Sequence, residues 1–282
     1  MKIIVKSIII LTLFFCGKVN AQEFIGEATY KSKQQIDVKL DSTQINTGMQ
    51  QQMMEMLKKQ FEKTHILTFN KEETIYKEEE SLGAPNPQGM EMIMIGKGGS
   101  DILYKNLKEK KKTFQKETFG KLFLIEDNLK EYEWTLESET KNIGEYTCFK
   151  ATTTKEIEII ENSISFNEDE DLSEDENAKP KMKTITITAW YTPQISVSAG
   201  PANYHGLPGL ILETNDGSQT IICSKIVINP KKSNEIIEPS KGKKVTQKEF
   251  KAIMEKKLNE MQERFRPSDR DDGESIEIRI GG

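Results

Sequence analysis

The chain has 282 residues, of which 35% are hydrophobic and 30% are charged, and its formal net charge is −5 at pH 7. The acidic balance excludes a dedicated nucleic-acid-binding surface, because phosphate recognition needs an excess of lysine and arginine. This length suits one large β domain or at most two small ones.

Residues 1–21 are predicted to be a cleaved signal peptide. Lys2 and Lys6 form a positively charged start, residues 7–16 are mostly apolar, and residues 19–21 place small or β-branched side chains at the cleavage positions. The apolar run is shorter than the ~20 residues that a membrane-spanning helix needs. We expect an exported, soluble chain of residues 22–282 with no transmembrane segment. Its destination would be the periplasm, the outer membrane or the medium.

The first elements after the leader are predicted to be strands over 24–31, 65–70 and 73–78, since apolar and polar residues alternate there between turn-forming residues. One helix interrupts them. Residues 48–63 carry an apolar stripe at helical spacing.

Methionines are concentrated in the same part of the chain, at Met49, Met53, Met54, Met56, Met90, Met92 and Met94. Thioethers are soft ligands for Cu(I), which makes copper handling one interpretation. Methionine is also an ordinary filler of irregular apolar surfaces and flexible lipid sites. We favour the second interpretation, in which Met53 and Met92 line an apolar cavity. No metal site is predicted.

The clearest strand is predicted over residues 183–191, where Ile185 and Ile187 alternate with threonines. A period of two places the apolar set on a packed face and the threonines on a wet face, as in an antiparallel sheet. The acidic run before it, residues 168–177, predicts a disordered loop over about residues 165–180 because like charges repel.

Two cysteines, Cys148 and Cys223, remain after removal of the leader. In an oxidising compartment such a pair predicts a disulfide. The alternative is two buried thiols that pack as small hydrophobic groups.

Residues 200–213 carry the most specific motif in the chain. Pro208 and Gly209 predict a type II turn, since proline fixes φ at the second position and glycine supplies a positive φ at the third. The following residues predict a strand buried on both faces, with Tyr204 and His205 held just ahead of it. His205 is either a ligand or base, or a histidine hydrogen-bonded to the loop backbone.

This motif resembles the GLPGLI family of exported Bacteroidetes proteins. The residues that carry the resemblance are Gly206, Leu207, Pro208, Gly209, Leu210 and Ile211, with further landmarks at residues 144–151 and 189–193. The family has no established activity, so the resemblance implies export and a shape rather than a reaction. The implied shape is similar to the lipoprotein-carrier (LolA-like) half-barrels.

The last long element is predicted to be a helix that begins after Thr246 and ends before Pro267. Thr246 and Glu249 form a capping box, in which each side chain satisfies a backbone N–H at the start of a helix. Residues 275–280 predict a late edge strand.

Together these features predict a mainly β (α+β) domain over residues 22–282, formed by a curved antiparallel sheet or LolA-like half-barrel with two or more packed helices. The expected function is binding or carrying an apolar ligand, with Tyr204, His205 and Trp190 near the mouth of the cavity. The alternatives are a partner of an outer-membrane transporter and a copper-handling protein. No catalytic or cofactor motif is present in the sequence, and it contains only two histidines, so we do not predict an enzyme.

Overall fold

The computed structural model describes residues 24–34, 36–37, 62–79, 101–159, 181–232, 234–265 and 279–280. Within these residues the chain forms fourteen strands and one helix. In chain order they are β1 (Gly26–Gln34), β2 (Ile36–Asp37), β3 (Lys63–Phe69), β4 (Glu73–Glu78), β5 (Ile102–Asn106), β6 (Lys111–Thr118), β7 (Lys121–Asn128), β8 (Thr135–Ile143), β9 (Tyr146–Ile159), β10 (Lys181–Thr192), β11 (Leu210–Asn215), β12 (Gln219–Ile228), β13 (Lys243–Val245), α1 (Gln247–Phe265) and β14 (Arg279–Ile280).

Twelve of the strands form one open sheet in the order β13-β7-β6-β5-β4-β3-β1-β12-β11-β10-β9-β8, while β2 and β14 pair separately. Two antiparallel meanders, β3 to β7 and β8 to β12, lie on either side of β1. The first strand therefore joins the two halves, and its pairing with β12 connects residues about 200 positions apart. β13 is the exception in direction, because it pairs with β7 in parallel.

The sheet must bend strongly, because β7 and β8 are consecutive in the chain but ten strand positions apart. Ten spacings of ~4.8 Å in a flat sheet would separate them by about 48 Å. The connection from Asn128 to Thr135 can span only about 25 Å even when fully extended. The bend brings the β8–β10 half towards β5, which is where the candidate site lies.

The loop between β10 and β11 fills much of the space inside this bend. Ile195, Val197 and Ala199 are buried in the main apolar cluster, and the serines between them are exposed. The loop is tied to β11 by backbone hydrogen bonds from Leu210 to Ile195 and from Ile211 to Ala199. The chain thus covers its own core face with an extended segment.

Helix α1 begins as the sequence predicts. The Thr246 N–H donates to Glu249 Oε2 at 2.7 Å and the Glu249 N–H donates to Thr246 Oγ1 at 3.2 Å, which is the capping box. Phe250 packs edge-on against Phe123 of β7, with ring centroids 5.4 Å apart. The first turns of the helix thereby cover the β7 end of the sheet.

The predicted half-barrel is wrong. The described chain forms a large open mixed sheet of twelve strands with one helix, rather than a LolA-like half-barrel with two or more packed helices. Within each meander every strand pairs with the next strand in the chain, and the β10–β11 loop covers the core face where helices were expected. The helix predicted over 48–63 lies outside the described residues except for 62–63, and Lys63 begins β3.

Several local predictions are confirmed. The strand expected over 183–191 lies within β10, with Ile187 and Ala189 buried and Thr184 and Thr186 exposed. β11 begins with three residues that have no exposed surface, Leu210, Ile211 and Leu212. The acidic loop and the late strand fall mostly outside the described residues, apart from the pairing of β14 with β2.

The two cysteines are free thiols in this structure, and both are buried. Burial raises the pKa of Cys148 and of Cys223 to about 11 in each case, and the Cys148 thiol is one of the groups that raise the pKa of Cys223. The candidate disulfide of the sequence is therefore not formed here, although the two side chains belong to the same apolar cluster.

Candidate functional site

A buried lysine organises the motif loop. Lys105 of β5 has no exposed surface, and its ammonium group donates to three backbone carbonyls, those of Gly200 at 2.9 Å, Ala202 at 2.7 Å and Tyr204 at 3.1 Å. Burial and, to a lesser extent, the neighbouring Lys112 together lower the pKa of Lys105 to about 7. The three carbonyl dipoles stabilise the charged form of Lys105 and so oppose the lowering of its pKa by burial. Lys105 thus fixes the path of residues 200–204.

An aromatic cluster lies beside this loop. Tyr132 contacts three rings, with centroid distances of 5.5 Å to Trp134, 5.8 Å to Tyr204 and 5.6 Å to His205. The indole N–H of Trp134 donates to the His205 carbonyl at 2.9 Å. The structure therefore brings together two of the five predicted site residues, Tyr204 and His205, with two aromatic residues from the segment that precedes β8.

His205 is buried and its Nδ1 has no hydrogen-bond partner. Burial and, to a lesser extent, the nearby Lys105 ammonium together lower the pKa of this imidazole to about 4. His65 of β3 is in a similar state: it stacks on Tyr76 at 4.7 Å, its Nδ1 is also unpartnered, and burial lowers its pKa to about 4. Both histidines are neutral at pH 7.

These two histidines predict an acid-sensitive fold. Because their pKa values are lower in the folded chain than the usual 6.5, the unfolded chain binds more protons between pH 4 and 6.5. The free energy of unfolding should therefore fall as the pH decreases through this window. Urea unfolding of a His65→Gln/His205→Gln variant should show a shallower pH slope than the unmodified chain. An unchanged slope would assign the acid sensitivity to other groups.

The turn in the motif differs from the prediction. The Gly209 N–H donates to the Leu207 carbonyl at 2.8 Å, which closes a three-residue γ-turn over Pro208. A type II turn is excluded, because φ of Gly209 is +159° and the Leu210 N–H binds Ile195 instead. Glycine is required at this position by packing, since a Cβ there would lie 2.2 Å from the Thr192 carbonyl oxygen.

An open groove of about 450 Å³ begins at Tyr132. One wall is the segment Lys130, Glu131, Tyr132 and Glu133, and the floor is formed by β8, β9 and β10 through Thr135, Thr152, Thr153, Thr154, Lys155 and Thr186. Five of the ten lining residues are threonines. The two lysines and two glutamates of the lining carry no net charge. The groove therefore offers hydroxyl groups and one aromatic ring in a neutral electrostatic setting.

No predicted site residue that the structure describes lines this groove, although Tyr204 and His205 contact Tyr132, which does. Trp190 is buried in the main core, where the Lys141 ammonium lies 4.3 Å from its ring centroid and also pairs with Glu213 at 2.8 Å. Met53 and Met92 lie outside the described residues. Their predicted role in an apolar cavity stays a prediction.

Sequence reasoning missed Lys105, Tyr132 and Trp134. A signal for Lys105 was present, because alternation in β5 places it on the same face as Leu103, which is a core residue. A lysine at a core position indicates a buried charge with dedicated partners. Nothing local marks Tyr132 or Trp134, since their contacts are with a loop about 70 residues away.

Comparison with known proteins identifies one family. Residues 134–213 match a family described as "Protein of unknown function (Porph_ging)". The matched stretch begins at Trp134 and includes the β10–β11 loop with Tyr204, His205 and residues 206–211. The match covers less than half of the chain, so it shows a similarity to a family of unknown function in this region, and it does not confirm the GLPGLI name. Functionally characterised proteins give no match.

Among solved structures, two of PNGF-II, in space groups C2 and P21, have a TM-score of 0.47 to this chain, with 16% and 15% sequence identity. The matches cover 83% and 82% of this chain, and the chain spans about a third of the PNGF-II chains, 33% in each case. A similarity this low identifies neither a shared fold nor a shared activity.

Within the described residues, no cluster of three or more histidine, cysteine or acidic side chains is arranged to hold a metal ion. No helix in the described part of the chain is long and apolar enough to cross a membrane.

Proposed function

We propose that the protein is an exported binding protein of the cell envelope, and that its ligand site is the threonine-lined groove beside the aromatic cluster. The observation that carries this proposal is the groove itself, which opens next to Tyr132 and is bounded by a segment that the motif loop holds in place. The predicted signal peptide and the six motif residues 206–211 support export and the GLPGLI identification.

The lining favours a neutral ligand with hydrogen-bonding groups. Threonine hydroxyls both donate and accept, and a tyrosine ring offers an apolar contact with a polar edge. The lysines and glutamates of the lining balance, so neither an anion nor a cation gains from the local charge. The apolar ligand expected from the sequence would instead use the methionine-rich segments around Met53 and Met92.

Native mass spectrometry of the protein purified from its own envelope, without reducing agent, tests this proposal. A bound mass of a neutral polar molecule or peptide supports the groove. A bound lipid supports the apolar carrier, a copper-sized mass supports metal handling, and a bare chain that retains an outer-membrane protein in a complex supports the transporter partner. The same spectrum measures the thiols, because a Cys148–Cys223 disulfide would lower the mass of the chain by two hydrogens.

A matched pair of variants localises the ligand. Thr154 and Thr140 are both exposed, but only Thr154 lines the groove. Thr154→Arg places a long charged side chain in the groove and should reduce the co-purified ligand at least ~10-fold, the effect of losing about 1.4 kcal/mol of binding. Thr140→Arg should retain it. Equal retention by the two variants would place the ligand elsewhere.

A further inference from the structure

Strands β9 and β10 extend beyond the strands that flank them. Pairing between β8 and β9 stops at Thr135 and Thr152, and pairing between β10 and β11 stops at Thr188 and Asn215. β9 and β10 continue to pair with each other as far as Ile159 and Lys181. Residues 153–159 and 181–187 therefore form a two-stranded ribbon, and no other strand among the described residues pairs with either of its edges.

The edge of β9 opens into the groove. Thr153, Thr154 and Lys155 line one side, and the segment from Lys130 to Glu133 lines the other. This segment would otherwise continue β8 alongside β9. It diverges because the rings of Tyr132 and Trp134 pack against Tyr204 and His205 and because Trp134 is hydrogen-bonded to the loop. Among the described residues, the aromatic cluster thus keeps this segment away from the backbone edge of β9.

An accessible strand edge is chemically selective. It presents N–H and C=O groups that repeat every two residues, a spacing of about 6.8 Å. Another extended polypeptide presents the complementary array, which is the basis of recognition by strand addition. A two-stranded ribbon is marginally stable in water, and a third strand adds the pairing that it lacks.

The side chains around the edge define the partner further. Register places Thr152, Thr154, Glu156 and Thr186 on one face of the ribbon, and Thr153, Lys155, Ile157 and Ile185 on the other. Alternate residues of an added strand would meet mostly hydroxyl groups with one carboxylate on the first face, and aliphatic groups with one ammonium group on the second. Since the charges of the groove balance, the strand that fits carries no net charge and alternates polar with β-branched apolar residues.

We propose that the protein binds an extended segment of another polypeptide, which adds as a β-strand along residues 153–159 of β9. This inference rests on the proposed function, because it names the ligand class of the same groove. The partner is an uncharged segment of at least ~6 residues with alternating polar and β-branched side chains, the length of an ordinary strand.

The test uses a peptide labelled with fluorescein at its N-terminus, fluorescein-Thr-Val-Thr-Val-Thr-Val-Thr-amide, and measures its binding to the full chain by fluorescence anisotropy. Two further peptides carry backbone N-methyl groups at either the odd or the even positions. An added strand turns alternate N–H groups towards β9. One isomer should therefore bind at least ~10-fold more weakly than the parent peptide, and the other should bind like the parent.

Thr154→Arg should weaken binding of the parent peptide and Thr140→Arg should not. Equal binding by both N-methyl isomers would overturn strand addition. Strand addition would also be overturned if the peptide does not bind while the mass spectrum shows a non-peptide ligand that the groove retains. In that case the proposed function would still stand. Self-association that Thr154→Arg abolishes would also overturn the proposal, by assigning the edge to a second copy of the chain.

Discussion

Replacement of Lys105 by methionine should lower the free energy of unfolding by about 3 kcal/mol or more, because three carbonyls lose a donor and each unsatisfied buried polar group costs about 1–3 kcal/mol. Methionine preserves most of the volume of the side chain, so the loss would come from the three carbonyls of Gly200, Ala202 and Tyr204. Each would lose this donor, and the buried carbonyl of Gly200 would be affected most. Urea unfolding followed by circular dichroism measures the difference.

The matched control is Lys108→Met, three residues further along. Lys108 is exposed and pairs only with the exposed Glu72, so this variant should unfold like the unmodified chain. If Lys105→Met unfolds at the same urea concentration as Lys108→Met, the motif loop is held by its apolar contacts and Lys105 has no structural role. If only Lys105→Met lowers the free energy of unfolding, we also expect this variant to retain its ligand more weakly, because the motif loop supports Tyr132.

Replacement of Gly209 by alanine should destabilise the fold by about 3 kcal/mol or more, since the new Cβ would collide with backbone that cannot move independently. That Cβ would lie 2.2 Å from the Thr192 carbonyl oxygen and 2.6 Å from its carbon. Thr192 is the last residue of β10 and is fully buried. Either the end of β10 or the start of β11 would have to shift, and the motif loop with it.

Gly217→Ala is the control for this variant. Gly217 has φ of +92°, but a Cβ there would meet no atom within 4 Å. Gly217→Ala should therefore lower the free energy of unfolding only by the strain of a left-handed conformation, about 1–2 kcal/mol. If Gly209→Ala costs no more than Gly217→Ala in urea unfolding, the close approach to Thr192 is relieved easily and glycine is not required there for packing.

Local features of the fold could be predicted from the sequence because their causes are local. The alternation in residues 183–191 identified the buried and exposed faces of β10, and the Thr246–Glu249 pair identified the start of α1. The type II turn was wrong for a reason that is not local. The Leu210 N–H is taken by Ile195, fifteen residues earlier, so the expected turn hydrogen bond does not form.

The order of the strands could not be predicted, because it depends on pairings between distant segments. The position of β1 between β3 and β12 determines that the two meanders form one sheet. No periodicity within β1 indicates these partners. The half-barrel followed from a family resemblance and from two expected helices, and it was wrong because the sheet stays open and the β10–β11 loop covers its core face.

The site was predictable only in part for the same reason. Tyr204 and His205 were found because they adjoin a specific motif. Their neighbour Lys105 comes from β5, in the other half of the sheet, and reaches the motif through the bend. Their neighbour Tyr132 comes from the segment that precedes β8, about 70 residues away in the sequence. The groove follows from the point at which β8 stops pairing with β9, and that point is determined by contacts of Tyr132 and Trp134 that only the folded chain provides.

Amide hydrogen exchange tests the central claim most directly. The protein as purified from its own envelope would be compared, by mass spectrometry, with the same protein after extraction of its ligand. Binding at the groove predicts slower exchange in the loaded protein for residues 130–133 and for the 152–159 part of β9, with little change in β3 to β7. Protection that is absent from both segments, or that lies only outside them, would contradict the assignment of the groove as the ligand site.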